Sequence, residues 1–552
     1  MPKAIKRLLW LSLAATAVGV IVCVFASRYQ ARPGRGLPPP TLAQIAPNGI
    51  YSILSGLASP SPDARQSALD RLEDPKLAPS VENALARKDL TPQQREALET
   101  YMRVLPRRQQ ADTYRKRVQQ EDEHLMSSTR RLYTKNPKPR RAIGMLPLLT
   151  YWSVANFDGR DRQSVREDLY NCVDRIAETG WDEPLFSYIR ATTLAQRGTP
   201  KEVLHPLFQK AVTQLQGSPY PALWRCWAAF DCARYSDASD AGSEAGKKEG
   251  HRLMEEGMNL LPAALADANS DRTALVATMR KIAACSRNVL GDHMQLCERV
   301  WPMLEEHCRD RSTILTARAL VYKDSEWGNT DSASGSPPAP ARSAKSPALA
   351  TAEQLLEEAW AADASNDIAA YEMETLVARR GGKPEELEKW FGRAMATNPD
   401  CYQACLVKLE YLKAMWPNDP SRILAFGQEC LQGGNWQGRI PLVLMDAHML
   451  ASQCTPHGWD PGAIGDYFTQ HPEVCDQIET LHKTAQRRGL LTRRHAILYR
   501  SIEAMAGRWS KIPVQSVTPT FGEQLPSACY LPPGLFEVLQ DEAGRRSQLN
   551  QP

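Results

Sequence analysis

His293 and Cys297 lie four residues apart and His307-Cys308 follows ten residues later, so one stretch gathers four soft donors of the kind that bind zinc. Adjacent residues on a helix point about 100° apart, so His307 and Cys308 do not easily reach one ion together. His471 and Cys475 repeat the four-residue spacing, and Cys454 and His457 stand three apart. Thirteen cysteines contain no C-x-x-C pair, which argues against a zinc ribbon or a thioredoxin-type site. Gly242 to Lys247 faintly resembles a phosphate loop, but its glycines are one residue too close, Lys248 takes the hydroxyl position and no strand precedes it. The strings G-x-S-x-G, H-E-x-x-H and the acidic calcium loop are absent. The expectation is therefore no catalytic residue, no cofactor and no metal.

Thirteen tryptophans admit another chemistry, because helical hairpins can form toroids that stack sugars on aromatic faces. Glycoside hydrolysis needs two carboxylates converging on one cleft, which a sequence does not display. Trp224, Trp227, Trp301, Trp360, Trp390 and Trp416 fall within helical patterns, where packing is the expected role. A carbohydrate-active or cell-wall-processing enzyme on an α/α helical scaffold is the rival reading.

The elements that would position any site are helical pairs. In Pro384 to Trp416, Leu387, Phe391 and Ala394 share one helical face, and Asn398-Pro399 ends that helix because the residue before proline avoids the α conformation. Tyr402, Cys405, Leu409 and Leu412 continue an apolar face on a second helix. Leu204, Phe208 and Ala211 match Leu387, Phe391 and Ala394 at a constant offset of 183, and Tyr220 and Ala222 match Tyr402 and Ala404 at 182. Gly198-Thr199-Pro200 and Gly382-Lys383-Pro384 precede the two copies, with glycine closing one helix and proline opening the next. A lone pair cannot bury its face, so neighbours must cover it, which is the logic of a solenoid.

The spacing of Phe391, Ala394 and Pro399 is similar to the second helix and closing proline of a tetratricopeptide repeat, and Phe208 with Ala211 fits the same pattern. Leu387 stands where that family carries alanine, and the Gly-Tyr pair of the first helix is missing, so the repeats are degenerate. Residues 320–430, with Trp327-Gly328, Lys408, Leu412, Trp416 and Phe426-Gly427, resemble a bacterial domain of unknown function related to these repeats. Ser61-Pro62 leading into Ala68, Leu69 and Leu72 resembles the opening of a HEAT-type helix. These resemblances imply fold and bacterial origin, and bring no chemistry.

Leu8 to Ser27 is twenty residues without a charge, which as a helix reaches about 30 Å, the hydrocarbon thickness of a bilayer. A cleaved signal peptide is the alternative, but the run exceeds the usual apolar core of about 7–15 residues. An uncleaved single-pass anchor is expected, with the N-terminus cytoplasmic and the body extracytoplasmic. The formal charge of +4 is unevenly placed, since Arg103 to Arg141 holds twelve Lys or Arg against four Asp or Glu. A solvated helix face and polar loop is the plain reading of that excess; contact with anionic lipid is the functional one. Tyr114 and Tyr133 are its only aromatics, so a nucleic-acid stacking platform is not expected.

The fold expectation is all-α, an N-terminal transmembrane helix followed by a right-handed α-solenoid of tetratricopeptide-like hairpins. Its segments are an anchor (1–30), a Pro-rich linker (31–50), a HEAT-like membrane-proximal region (51–145), repeats (146–324), a low-complexity loop (325–350), further repeats (351–510) and a Pro-rich tail (511–552). The function this implies is a membrane-anchored scaffold for a protein or peptide partner. Tyr371, Glu374, Lys408 and Tyr411 are candidates for its binding surface by their place on first helices, with a solvated face as the plainer role of each.

Overall fold

The computed structural model describes residues 47–72, 75–134, 162–236, 244–268, 272–327, 346–454 and 461–508, and every regular element among them is a helix. The all-α expectation holds for these residues. The apolar run Leu8 to Ser27, the proline spacer, most of the low-complexity segment and the tail lie outside them. Among the described residues no helix is long and apolar enough to cross a membrane.

The described residues divide into two compact units, one of those within 1–110 and 476–491, the other of those within 111–475 and 492–552. In the first unit, α1 (Pro47–Leu57), α2 (Pro62–Arg71), α3 (Ala78–Leu85) and the start of α4 (Pro92–Thr134) enclose Ile53, Leu54, Leu72, Val81, Leu98 and Tyr101. Ser61 accepts from the Ala64 amide at 3.4 Å and Pro62 takes the first helical position, as its sequence predicts. A Cβ on Gly56 would stand 2.8 Å from the Ala68 side chain, so α1 and α2 touch where the residue is smallest. Helix α4 is capped reciprocally: Gln94 donates its amide to Thr91 Oγ1 at 3.2 Å and accepts from the Thr91 amide at 2.8 Å.

The sequence predicts short helices separated by proline turns as far as Leu105, yet α4 runs for 43 residues with Pro106 inside it. One proline removes one amide, and the strong helix formers on either side carry the helix past it.

The second unit continues with α5 (Arg162–Glu178), α6 (Pro184–Gln196), α7 (Lys201–Gln216), α8 (Ala222–Arg234), α9 (Glu244–Ala268), α10 (Arg272–Leu290), α11 (Gln295–His307) and α12 (Arg311–Trp327). After the low-complexity segment come α13 (Pro347–Ala362), α14 (Asp367–Arg379), α15 (Pro384–Thr397), α16 (Tyr402–Met415), α17 (Ser421–Gly433) and α18 (Val443–Ser452), the last opened by a 3-10 turn, Ile440–Leu442. Helices α19 (Pro461–Gln470), α20 (Pro472–Arg487) and α21 (Arg493–Met505) complete the described residues, with most of α20 assigned to the first unit. Consecutive helices pack as pairs, α6 on α7, α8 on α9, α12 on α13, α14 on α15 and α17 on α18. Neighbouring pairs then meet through α8 with α10, α10 with α12 and α14 with α16. Helix α13 begins at Pro347, before the Ala352 that periodicity suggests, because Ser346 accepts from the Ala348 amide at 3.2 Å and Pro347 needs no donor.

The two copies match more closely in conformation than in letters. Gly198 and Gly381, 183 apart, both adopt left-handed φ, +77° and +66°. Pro200 and Lys383, at the same offset, are both N-caps. The sequence pairs Gly198 with Gly382, one residue late. Gly382 has a different job, since a Cβ there would lie 2.8 Å from Val377 Cγ1. The offset of 182 does not survive: Tyr402 is the first residue of α16, whereas Tyr220 precedes α8.

Candidate functional site

The four residues expected on a docking surface lie on α14 and α16, but the protein covers three of them. Glu374, Lys408 and Tyr411 are 0%, 6% and 3% exposed, and Tyr371 is half-buried. Helix α15 folds back on α14, α16 meets both, and α17 closes the far side, so side chains on the first helices face protein. Tyr411 donates its hydroxyl to the Gly382 carbonyl at 2.6 Å. Lys408 Nζ pairs with Glu388 Oε2 at 2.8 Å and sits 4.3 and 4.4 Å from the centres of the Phe391 and Phe426 rings.

Neither carboxyl oxygen of Glu374 has a hydrogen-bond partner among the described residues. Burial pushes its pKa well above the ordinary carboxylate range; Lys408 opposes the shift and Glu388 adds to it. Below the unfolded value of about 4.3 the group is protonated in both states and costs no pH-dependent stability. As pH rises past that value the unfolded chain ionises first, so stability is lost until pH passes the folded value. Glu374→Met is expected to stabilise the protein by about 1–3 kcal/mol at pH 7, with the gain shrinking toward pH 4. Urea unfolding at the two pH values measures it, and a gain that did not depend on pH would refute the account.

The basic excess on α4 is in part internal wiring. Arg115 donates from Nε and Nη2 to the two oxygens of Asp400 at 2.7 and 2.8 Å, from Nη2 to Asn435 at 2.9 Å, and from Nη1 to Asp112 at 2.8 Å. Tyr114 donates to Asp367 at 3.3 Å. Arg115 is thus committed to a fully buried carboxylate, where a solvated or lipid-facing role needs it free.

A polar chain that the sequence does not announce joins α16, α18 and α21. Tyr402 donates its hydroxyl to Asp446 and accepts from His495 Nε2 at 3.0 Å, while His495 Nδ1 accepts from the Thr492 hydroxyl at 2.7 Å. Arg494 donates to both Asp446 oxygens, at 3.2 Å from Nη1 and more closely from Nη2. Asp446 and His495 are fully buried, and Tyr402 and Arg494 nearly so, which makes this a structural network rather than a site open to substrate. Lys323, Glu372 and Arg280 form a second such knot between α12, α14 and α10, with Glu372 accepting from Lys323 at 2.5 Å and from Arg280 at 3.1 Å.

A cleft of about 540 Å³ opens at α7, α8 and α9 in the second unit, bordered by Arg225, Arg252, Glu255, Glu256 and Asn259. Its acids are already taken. Glu255 accepts two bonds from Arg299 at 2.8 and 3.0 Å, and Glu256 accepts from Arg252 at 3.1 Å and from Gln216. The Arg299 hydrogen bonds hold the Glu255 carboxyl below its ordinary range. Arg225 has no partner among the described residues, and its Nε is buried.

Among the described residues no three His, Cys, Asp or Glu side chains form a group that could hold a metal. Cys297 Sγ donates to the His293 carbonyl at 3.5 Å, Cys475 Sγ donates to that of Phe468 at 3.6 Å, and His471 pairs with Glu473 at 3.1 Å; His457 lies outside the described residues. Of the six tryptophans weighed as sugar platforms, Trp224, Trp227, Trp301 and Trp390 are buried and Trp360 and Trp416 half-buried. No protein-family model, curated protein or solved structure matches this chain.

Proposed function

We propose that the chain is a membrane-anchored scaffold whose helical body binds a protein partner, with degenerate tetratricopeptide-like hairpins stacked as a right-handed α-solenoid. The observation that carries this reading is the packing of consecutive helices as pairs, each pair leaning on the next through α8, α10, α12 and α14. The apolar run Leu8 to Ser27 supplies the anchor, with the body on the extracytoplasmic side. The partner presents an acidic side chain or a terminal carboxylate to the α7–α9 cleft, where Arg225 is the cation not already neutralised. Burial of the tryptophans favours this over glycan binding.

The test is photo-crosslinking from the cleft in native membranes. One partner should be captured reproducibly, and Arg225→Ala should reduce its yield about tenfold, the effect of losing roughly 1.4 kcal/mol of a charge-assisted contact. Release of products from glycan or peptidoglycan by the purified body would establish the enzyme reading instead, and capture insensitive to Arg225→Ala would remove the cleft from the proposal.

A further inference from the structure

Helices α16 and α17 bring two thiols together. The turn at 416–420 reverses the chain, and Lys408 Nζ sits 4.4 Å from the centre of the Phe426 ring, which sets the register between the two helices. One turn back along α16 from Lys408 is Cys405, and one turn on along α17 from Phe426 is Cys430. That register faces the two side chains toward each other where α16 packs on α17; both are free thiols, and they are 0% and 5% exposed. Phe391 of α15 packs edge to face on Phe426 at 5.4 Å between centroids, so α17 is also held from its α15 side whichever state the sulfurs adopt.

We propose that Cys405 and Cys430 are a redox site, a dithiol that closes to a disulfide between α16 and α17 by exchange with a disulfide-bearing partner. The more accessible thiol, Cys430, loses its proton to solvent and attacks a sulfur of the incoming disulfide, forming a mixed disulfide and releasing one thiolate, which is protonated. Cys405 then loses its proton and attacks Cys430 Sγ, breaking the mixed disulfide and releasing the second thiol. Two thiols are oxidised and one disulfide is reduced to two thiols, so atoms and electrons balance. The neighbouring Cys430 thiol and burial both push the Cys405 thiol well above its ordinary range, so exchange is slow while α17 stays docked.

The full chain is brought to a constant thiol count in buffers of reduced and of oxidised glutathione, alkylated, and digested without reductant. The oxidised sample is expected to lose two thiols, to yield a peptide joining Cys405 to Cys430, and to unfold at a higher temperature than the reduced one. Cys401→Ser, one turn before Cys405, should leave the joined peptide in place, and Cys430→Ser should abolish it. An unchanged thiol count at both ends, or a linkage through other cysteines, would overturn the proposal. Mapping of the unsubstituted chain and of Cys401→Ser decides the matter even where Cys430→Ser does not fold.

Discussion

Arg494→Met is expected to destabilise the second unit by about 3–5 kcal/mol, because it strips a buried carboxylate of its charge partner. Asp446 is fully buried and Arg494 reaches both its oxygens, while Tyr402 supplies only one neutral donor. Left with Tyr402 alone, Asp446 must take a proton or draw in water, and either route unties α21 from α18. Hydrogen exchange at the amides of these helices measures the loss locally, which matters in a chain of two units whose unfolding need not be two-state. The double variant Arg494→Met with Asp446→Leu should lose less than Arg494→Met alone, because it removes the stranded charge too. A double variant as unstable as the single would mean that packing, not the ion pair, dominates there.

Trp227→Ala should cost about 3–5 kcal/mol, the range for deleting a large side chain from a packed core. Trp227 is 1% exposed, meets Trp224 edge to face at 5.6 Å and donates its indole N–H to Thr278 at 2.9 Å. Its face also carries Lys281, 5.5 Å from the ring centre and paired with Asp231 at 2.6 Å, so the cavity would open beside a partly buried ion pair. Trp227→Phe keeps most of the volume but loses one fused ring and the hydrogen bond, so about 1–2 kcal/mol is expected. Urea unfolding followed by far-ultraviolet circular dichroism separates the two variants. Equal losses from both would assign the effect to the hydrogen bond instead of the cavity.

The helical pairs were legible in the sequence because an amphipathic face is a local pattern. Leu204, Phe208 and Ala211 read as one face and are all buried, as are Tyr402, Cys405, Leu409 and Leu412. What the pattern cannot say is how much of the opposite face a neighbour covers. Glu374 and Lys408 look like surface residues by type and are buried by α15 and α17, and only the fold supplies Lys408 with Phe391 and Phe426. Tyr402 counts as apolar in a periodicity, so its hydroxyl and the partners at Asp446 and His495 leave no trace in spacing. Arg115 finds its carboxylate 285 residues away, beyond the reach of any local signal. The Arg225 cleft was missed for a related reason: many arginines are visible, but a lack of partners appears only once every nearby acid has been assigned.

The left-handed glycines at 198 and 381 mark a joint used twice. Each is followed at the same distances by Leu, Phe and Ala, at 204, 208 and 211 and again at 387, 391 and 394, although the prolines between have drifted by one place. The two segments therefore share a joint and the buried Leu and Ala, while Phe208 is buried and Phe391 half-buried, and most other letters differ. What makes the two joints interchangeable is that cadence of glycine, leucine, phenylalanine and alanine, not the letters between.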